Sequence, residues 1–219
     1  MVAAAESLRA VLFDLDGTLI DHFDTLYRCY HHTLGKLGVE SPSPELVRRS
    51  VGGSMEVTMG KFLPAERVAE AAQIWREYLS SVYLDDVTLM PGAHTLLEKL
   101  HARGLKLGVL TNKIGEHSRG ICRHLGIEGL FALILGANDT PYRKPQPEFG
   151  AEALRRLGVT PGESCLVGDS PYDIDAAHNC GMPCYCVTTG THDAYELRDA
   201  GADGVYHDLR MLGQVVFAA

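Results

Sequence analysis

Apolar residues in this chain fall into short, unalternating runs separated by longer stretches of helical period. Residues 10–13, 106–110, 132–135, 165–167 and 184–187 form such runs, with 204–206 a weaker sixth. A run with no polar alternate position fits a strand covered on both faces, as in a parallel sheet. Between the runs lie amphipathic stretches at 93–103, 116–125, 148–157 and 172–180, followed by Gly104, Gly126, Gly158 and Gly181. Glycine in that place is what a helix C-cap favours. Strands alternating with helices predict an α/β fold, a doubly wound parallel sheet with right-handed crossovers.

One interval breaks the alternation. About seventy residues between the first run and the helix at Ala93 hold no segment that reads as a strand. Residues 24–37 place Leu26, Tyr30, Leu34 and Leu37 on one helical face and end at Gly38. Pro64 opens a longer helix with Val68, Ala72, Trp75, Leu79 and Val82 in register. These residues are expected to form a bundle core rather than a ligand platform. The pattern predicts an inserted α-helical domain over 20–90 and an α/β core from 1–19 and 91–219, with Pro91-Gly92 marking the return. An insert leaving directly after the first strand would sit over the carboxyl edge of the sheet and could exclude water from it.

Composition narrows the setting. A chain of 219 residues with 46% hydrophobic content can bury a sizeable core. A formal net charge of -8 argues against nonspecific nucleic-acid or membrane binding. No run approaches the ~18 apolar residues of a membrane span, and 1–9 shows no basic region followed by an apolar stretch. Six scattered cysteines fit reduced thiols, so a soluble cytoplasmic protein is expected. Cys180, Cys184 and Cys186 lack a second pair in zinc spacing and read as small buried apolar residues. His31-His32 faces two sides of a helix and makes no site.

The chemistry begins where the first run ends, at Asp14-Leu15-Asp16-Gly17-Thr18. An Asx turn would use one aspartate and leave the other unexplained. A calcium loop needs glycine sixth and glutamate twelfth, where this chain has Leu19 and Thr25. Two neighbouring carboxylates repel and call for a cation or a shared proton. Later runs end at Thr111-Asn112, near Arg143-Lys144-Pro145, and at Gly168-Asp169-Ser170-Pro171-Tyr172-Asp173. Each has a plainer reading: Thr111 or Asn112 as caps, Lys144 as a solvated cation, and Ser170, Pro171 and Asp173 as N-cap, N1 and N3 of a helix. All converge, however, on the sheet edge that holds Asp14 and Asp16, where ligands of α/β sheets bind. The set suits phosphoryl transfer with Mg²⁺, held by Asp14, the Asp16 carbonyl and Asp169. Lys144 and Thr111 would then face the phosphate oxygens.

Asp-Leu-Asp-Gly-Thr, Thr-Asn, Lys-Pro and Gly-Asp-x-x-x-Asp, in that order, resemble the four motifs of the haloacid dehalogenase superfamily. The insert resembles its small α-helical cap, and the phosphoglycolate phosphatase-like hydrolases are the nearest likeness. The resemblance implies Asp14 as nucleophile, Asp16 as general acid/base and an aspartyl-phosphate intermediate. It further implies substrate contacts from Thr111, Asn112, Lys144, Gly17 and the cap residue Arg49. The metal set would be Asp14, Asp16 and Asp169, with Asp173 supporting the metal or Lys144. Arg48-Arg49 with Gly52-Gly53 resembles a cap loop that reaches the leaving group; a solvated basic helix end is the alternative. His22 stands where many relatives carry serine. Asp16 disfavours dehalogenation, and Leu26 stands where sugar-phosphate mutases carry histidine. The expected partner is a small phosphorylated metabolite, for a monomer or homodimer. A mutase of the same superfamily and a silent phosphate-binding regulator remain alternatives.

Overall fold

The computed structural model describes residues 8–219. Most of the stretch read for a leader, and the first residues of the expected core segment, lie outside the described residues. Strand β1 (Ala10–Phe13) and the short β2 (Ile20–Asp21) lead into helices α1 (Phe23–Lys36), α2 (Pro44–Arg48), α3 (Met55–Met59) and α4 (Ala65–Val82). A short β3 (Thr88–Leu89) returns the chain to α5 (Ala93–Ala102), β4 (Lys106–Leu110), α6 (Gly115–His124) and β5 (Leu133–Leu135). There follow α7 (Pro147–Leu157), β6 (Ser164–Gly168), α8 (Pro171–Asn179), β7 (Cys184–Val187), α9 (Ala194–Asp199), β8 (Gly204–Tyr206) and α10 (Leu209–Val216).

Six strands form one parallel sheet in the order β5-β4-β1-β6-β7-β8. The chain winds outward from β1 in both directions, as the alternation predicted. Successive residues of β1 serve opposite faces. Val11 and Phe13 join Leu97 of α5, Ile121 of α6 and Leu212 of α10. Ala10 and Leu12 join Phe149 and Leu154 of α7 and Ile174 of α8. Both faces are covered, which is why the strand shows no polar alternation. A fully buried side chain such as Phe13 contributes roughly 1.5–3 kcal/mol, so the end of β1 is anchored where Asp14 begins. The four glycines expected to end helices all take left-handed φ.

Between Ile20 and Leu89 the chain leaves the sheet. Leu26, Tyr30 and Leu34 of α1 pack with Ala71, Trp75 and Leu79 of α4 in a separate apolar cluster. The interval is not strand-free, as the pattern suggested. β2 and β3 pair antiparallel through Ile20–Leu89 and Asp21–Thr88, and two residues are too few to show a period. Helices α2 and α3 start at Ser43 and Ser54, whose side chains accept from Leu46 N–H and Val57 N–H. No described helix is long and apolar enough to cross a membrane. Cys184 and Cys186 are buried in β7 with their sulfurs 3.8 Å apart, and all six cysteines are free.

Candidate active site

β1 lies between β4 and β6, so the chain directions diverge there and a crevice forms beyond the carboxyl ends. The turn after Asp16 depends on Gly17, with φ of 85°. A Cβ on Gly17 would stand 2.8 Å from Asp169 Oδ2 and 2.9 Å from the Gly190 Cα, so only glycine lets the Asp14 loop close on the Asp169 loop. The Gly17 N–H donates to the Ile20 carbonyl, and its own carbonyl accepts from Thr189 Oγ1. Its role is therefore the turn, and its backbone has no free donor for substrate.

Asp14, Asp169 and Asp173 are buried and present carboxylate oxygens within 4.8 Å of one another. Among the described residues one cation serves this cluster, the fully buried Lys144. Its ammonium lies 2.6 Å from Asp173 Oδ1 and 2.9 Å from Asp14 Oδ1. The first is a hydrogen bond; the second meets the carboxylate at an angle that leaves Asp14 Oδ1 without one. Asp173 Oδ2 accepts from the backbone N–H of Asp169 and Ser170 and from the Ser170 hydroxyl. Asp173 thus fills both expected parts: it closes the capping box of α8 and orients Lys144. Asp169 is held by Thr18 Oγ1 on one oxygen and by the backbone and hydroxyl of Thr191 on the other. Thr18, Thr189 and Thr191 were missed in the sequence, although Thr188-Thr189-Gly190-Thr191 follows β7 as a polar strand end like the others.

Three carboxylates and one ammonium in a buried site leave an excess of negative charge. Burial pushes the Asp14 carboxyl up to about 6, Lys144 opposing and Asp173 adding to the rise. Burial, with Asp173 and Asp14 beside it, pushes Asp169 up to about 8. Burial would neutralise Lys144, but Asp14 and Asp173 reverse this and keep it protonated. An all-oxygen donor set with surplus charge and an unbonded oxygen on Asp14 fits a hard divalent cation. Both carboxyls bind protons more tightly folded than unfolded, where the usual value is 3.8. That favours folding at low pH, and the contribution is lost as pH rises through about 6 and then about 8. Metal-free protein is expected to melt lower at about pH 8.5 than at about pH 5, and Mg²⁺ to raise the melting temperature more at the higher pH. Scanning calorimetry with chelator and with Mg²⁺ checks this; an equal metal effect at both pH values would contradict the charge excess.

Asp16 points elsewhere. Its two carboxylate oxygens lie 3.1 and 3.0 Å from Lys113 Nζ, which also lies 3.2 Å from His22 Nδ1. An ammonium only donates, so His22 Nδ1 accepts and its proton sits on Nε2, which is buried without a partner. Burial and then Lys113 hold the His22 imidazole below its usual value, hence neutral. Burial works to raise the Asp16 carboxyl, but Lys113 and His22 outweigh it and hold it well below the carboxylate range. The side chain of Asp16 is thus apart from the Asp14–Asp169–Asp173 cluster, and only its backbone carbonyl remains for the metal set. Lys113 directly follows the Thr-Asn pair, yet nothing local in the sequence tied it to Asp16.

A cavity of about 420 Å³ separates this edge from the helices above, with Asp14, Asp16, Thr111, Asn112 and Lys113 in its floor. Thr111 Oγ1 accepts from the Lys113 N–H at 3.3 Å, which leaves its proton free to donate. Asn112 is spent on structure. Its Nδ2 donates to the Gly52 and Lys144 carbonyls and its Oδ1 accepts from the Lys144 N–H. The amide therefore positions Lys144 and the Gly52 loop. Gly52 and Gly53 do reach the cavity, but the arginines before them do not. Arg48 lies over the Phe23 ring at 3.8 Å, and Arg49 pairs with Glu196 of α9 at 3.3 Å, outside the cavity. Leu26, Tyr30 and Trp75 belong to the helical cluster and also wall the cavity, so the expectation of core instead of platform was too exclusive.

This arrangement can deliver one carboxylate to an electrophile, hold an anion with Lys144 and Thr111, and keep a second carboxylate ready for proton transfer. Comparison with known proteins agrees with it. The family model for haloacid dehalogenase-like hydrolases matches residues 11–187. The phosphoglycolate phosphatase of Aquifex aeolicus is 33% identical over 178 residues, covering 80% of this chain and 82% of that protein. That of Yersinia pestis is 32% identical over 192 residues, covering 84% and 83%. A haloacid dehalogenase-like family hydrolase of Streptococcus pneumoniae superposes with a TM-score of 0.87 at 27% identity, covering 95% of this chain and 98% of that one. With the motif residues gathered at one sheet edge and the family match running from β1 through β7, the chain belongs to the haloacid dehalogenase-like hydrolases and is a phosphatase enzyme of the phosphoglycolate phosphatase-like kind.

Proposed function

We propose that the protein is a Mg²⁺-dependent phosphatase that removes phosphate from a small phosphomonoester through an aspartyl phosphate on Asp14. The observation that carries this reading is the separation of the two aspartates. Asp14 is drawn to Lys144 within the acidic cluster, whereas Asp16 is drawn to Lys113 outside it. A bound Mg²⁺, held by Asp14, the Asp16 carbonyl and Asp169, would supply the positive charge that lets a phosphate dianion approach two carboxylates.

The chain's own residues then divide the work. Lys144 and the Thr111 hydroxyl hold the phosphate oxygens with the phosphorus facing Asp14. An oxygen of Asp14 bonds to phosphorus as the ester bond breaks, and the departing alkoxide takes its proton from Asp16. Asp16 next takes a proton from water, whose oxygen bonds to phosphorus while the acyl phosphate breaks, restoring Asp14. In the empty site Lys113 keeps Asp16 anionic, the form needed for the second step. For the first step it must gain a proton, which an arriving phosphate dianion favours by offsetting the Lys113 charge. The helical segment 20–90 acts as a cap that shields the acyl phosphate from bulk water. The free thiols are consistent with a cytoplasmic setting.

The test is phosphate release from small phosphorylated acids, sugars, nucleotides and phenyl phosphate. Release is expected with Mg²⁺ and is lost in chelator. Turnover that survives chelation, or none from any ester, would sink the proposal.

A further inference from the structure

The cavity that holds Asp14 is also lined by a charge group that the chemistry at Asp14 does not use. Arg76 comes from α4 and Arg143 from the segment just before Lys144, and both line the cavity. They meet through one carboxylate, Glu56 of α3. It is hydrogen-bonded by Arg76 and lies 3.6 Å from the Arg143 guanidinium. One glutamate cannot neutralise two guanidiniums, so the group holds a net positive charge. All three side chains are about half exposed. Ion pairs so exposed add little to stability, about 0–1 kcal/mol, so stabilisation is a weak account of why two pieces of chain bring them together. The same cavity is also lined by the apolar side chains of Leu26, Tyr30, Met55 and Trp75, with Ser54 and Thr58 among them.

We propose that Arg76 and Arg143 form a second anion subsite, which takes a carboxylate or phosphate at the far end of a leaving group whose body is apolar. This rests on the phosphatase reading of the same cavity. In the empty protein Glu56 meets one nitrogen of each guanidinium, by a hydrogen bond at Arg76 and by charge alone at Arg143; an incoming carboxylate or phosphate can pair with the donors left over and relieves the excess charge. A cavity of about 420 Å³ lies within the range for small organic ligands, so the leaving group has room for a ring or an equivalent apolar spacer. The arginines expected for this task from the sequence, Arg48 and Arg49, are engaged elsewhere. The subsite is built jointly by the helical segment, through Arg76, and by the sheet domain, through Arg143.

Three probes share one core: phenyl phosphate, 4-carboxyphenyl phosphate and 4-(aminomethyl)phenyl phosphate, with phenyl 1,4-bisphosphate to separate carboxylate from phosphate. Affinities are read by calorimetry on the Asp14→Asn chain, so the comparison does not depend on turnover. At least one doubly anionic ester is expected to bind about tenfold or more tighter than phenyl phosphate. Adding Arg76→Gln or Arg143→Gln is expected to bring that ratio close to one, and adding Glu56→Gln to increase it. An unchanged ratio in both arginine variants, a preference for the aminomethyl ester, or no binding of any ester overturns the subsite. The phosphatase reading fails separately, if the wild-type chain with Mg²⁺ releases no phosphate from any of the four.

Discussion

Replacing Asp14 with asparagine is expected to remove phosphate release by about 10⁴-fold or more while leaving the fold intact. The size of the loss follows from the role: an amide cannot form the acyl phosphate, and losing a covalent nucleophile removes the whole two-step route. The fold should survive because Asp14 is an expensive group to bury. Its carboxyl is pushed up to about 6 by burial, and its ion pair with Lys144 lacks hydrogen-bond geometry. Lys144 keeps its 2.6 Å bond to Asp173 in the variant. The metal-free melting temperature near neutral pH is therefore expected to match or exceed that of the parent, with a smaller rise on adding Mg²⁺. Activity within a few per cent of the parent would remove Asp14 from the nucleophile role.

Lys144→Met has the second large effect, and it strikes both activity and stability. The side chain is fully buried between Asp14 and Asp173. A methionine of similar length fills the space but leaves buried carboxylates unopposed. Breaking a buried ion pair from one side costs about 3–5 kcal/mol, on the order of 10 °C in melting temperature for a chain of this size. The remaining carboxylates would respond by taking up protons, so the stability loss should shrink at low pH. Phosphate release should fall with it, since among the described residues Lys144 is the cation paired with Asp14 and Lys113 is engaged by Asp16. A Lys144→Met protein that melts within a degree or two of the parent at about pH 8 would show that the carboxylates find another partner.

These effects were partly legible in the sequence because the groups lie at consecutive strand ends. Asp14, Thr111 and Asp169 each follow a short apolar run and Lys144 lies in the segment after another, and a parallel sheet brings such ends to one edge whatever the rest of the chain does. What was not legible depends on contacts between distant segments. Lys113 reaches Asp16 and its near neighbour His22 from more than ninety residues away, with only its chemical type to suggest it. Arg49 was favoured for its place beside Gly52-Gly53, yet the backbone turns it toward Glu196, and Arg76 and Arg143 occupy the cavity instead. The small elements escaped for a different reason. β2 and β3 are too short for periodicity, whereas α9 and α10 did carry signals, the capping box of Asp193 with Glu196 and the Asp208 N-cap, that a reading by apolar runs passes over.

The pairing of β2 with β3 reaches beyond catalysis. The helical excursion departs and returns through two hydrogen-bonded neighbours, Ile20 and Leu89, and Met90 N–H donates to the Leu19 carbonyl directly below. Its two ends are thus held side by side in the folded chain, and the ribbon's hydrogen bonds offset part of the entropy of closing so long a loop. A module whose two chain connections lie side by side can be exchanged for another of different length without displacing the strands beneath. For this protein Glu56 and Arg76 travel with the graft while Arg143 stays beside Lys144 in the floor, so an exchanged graft would meet a host that already carries one fixed guanidinium.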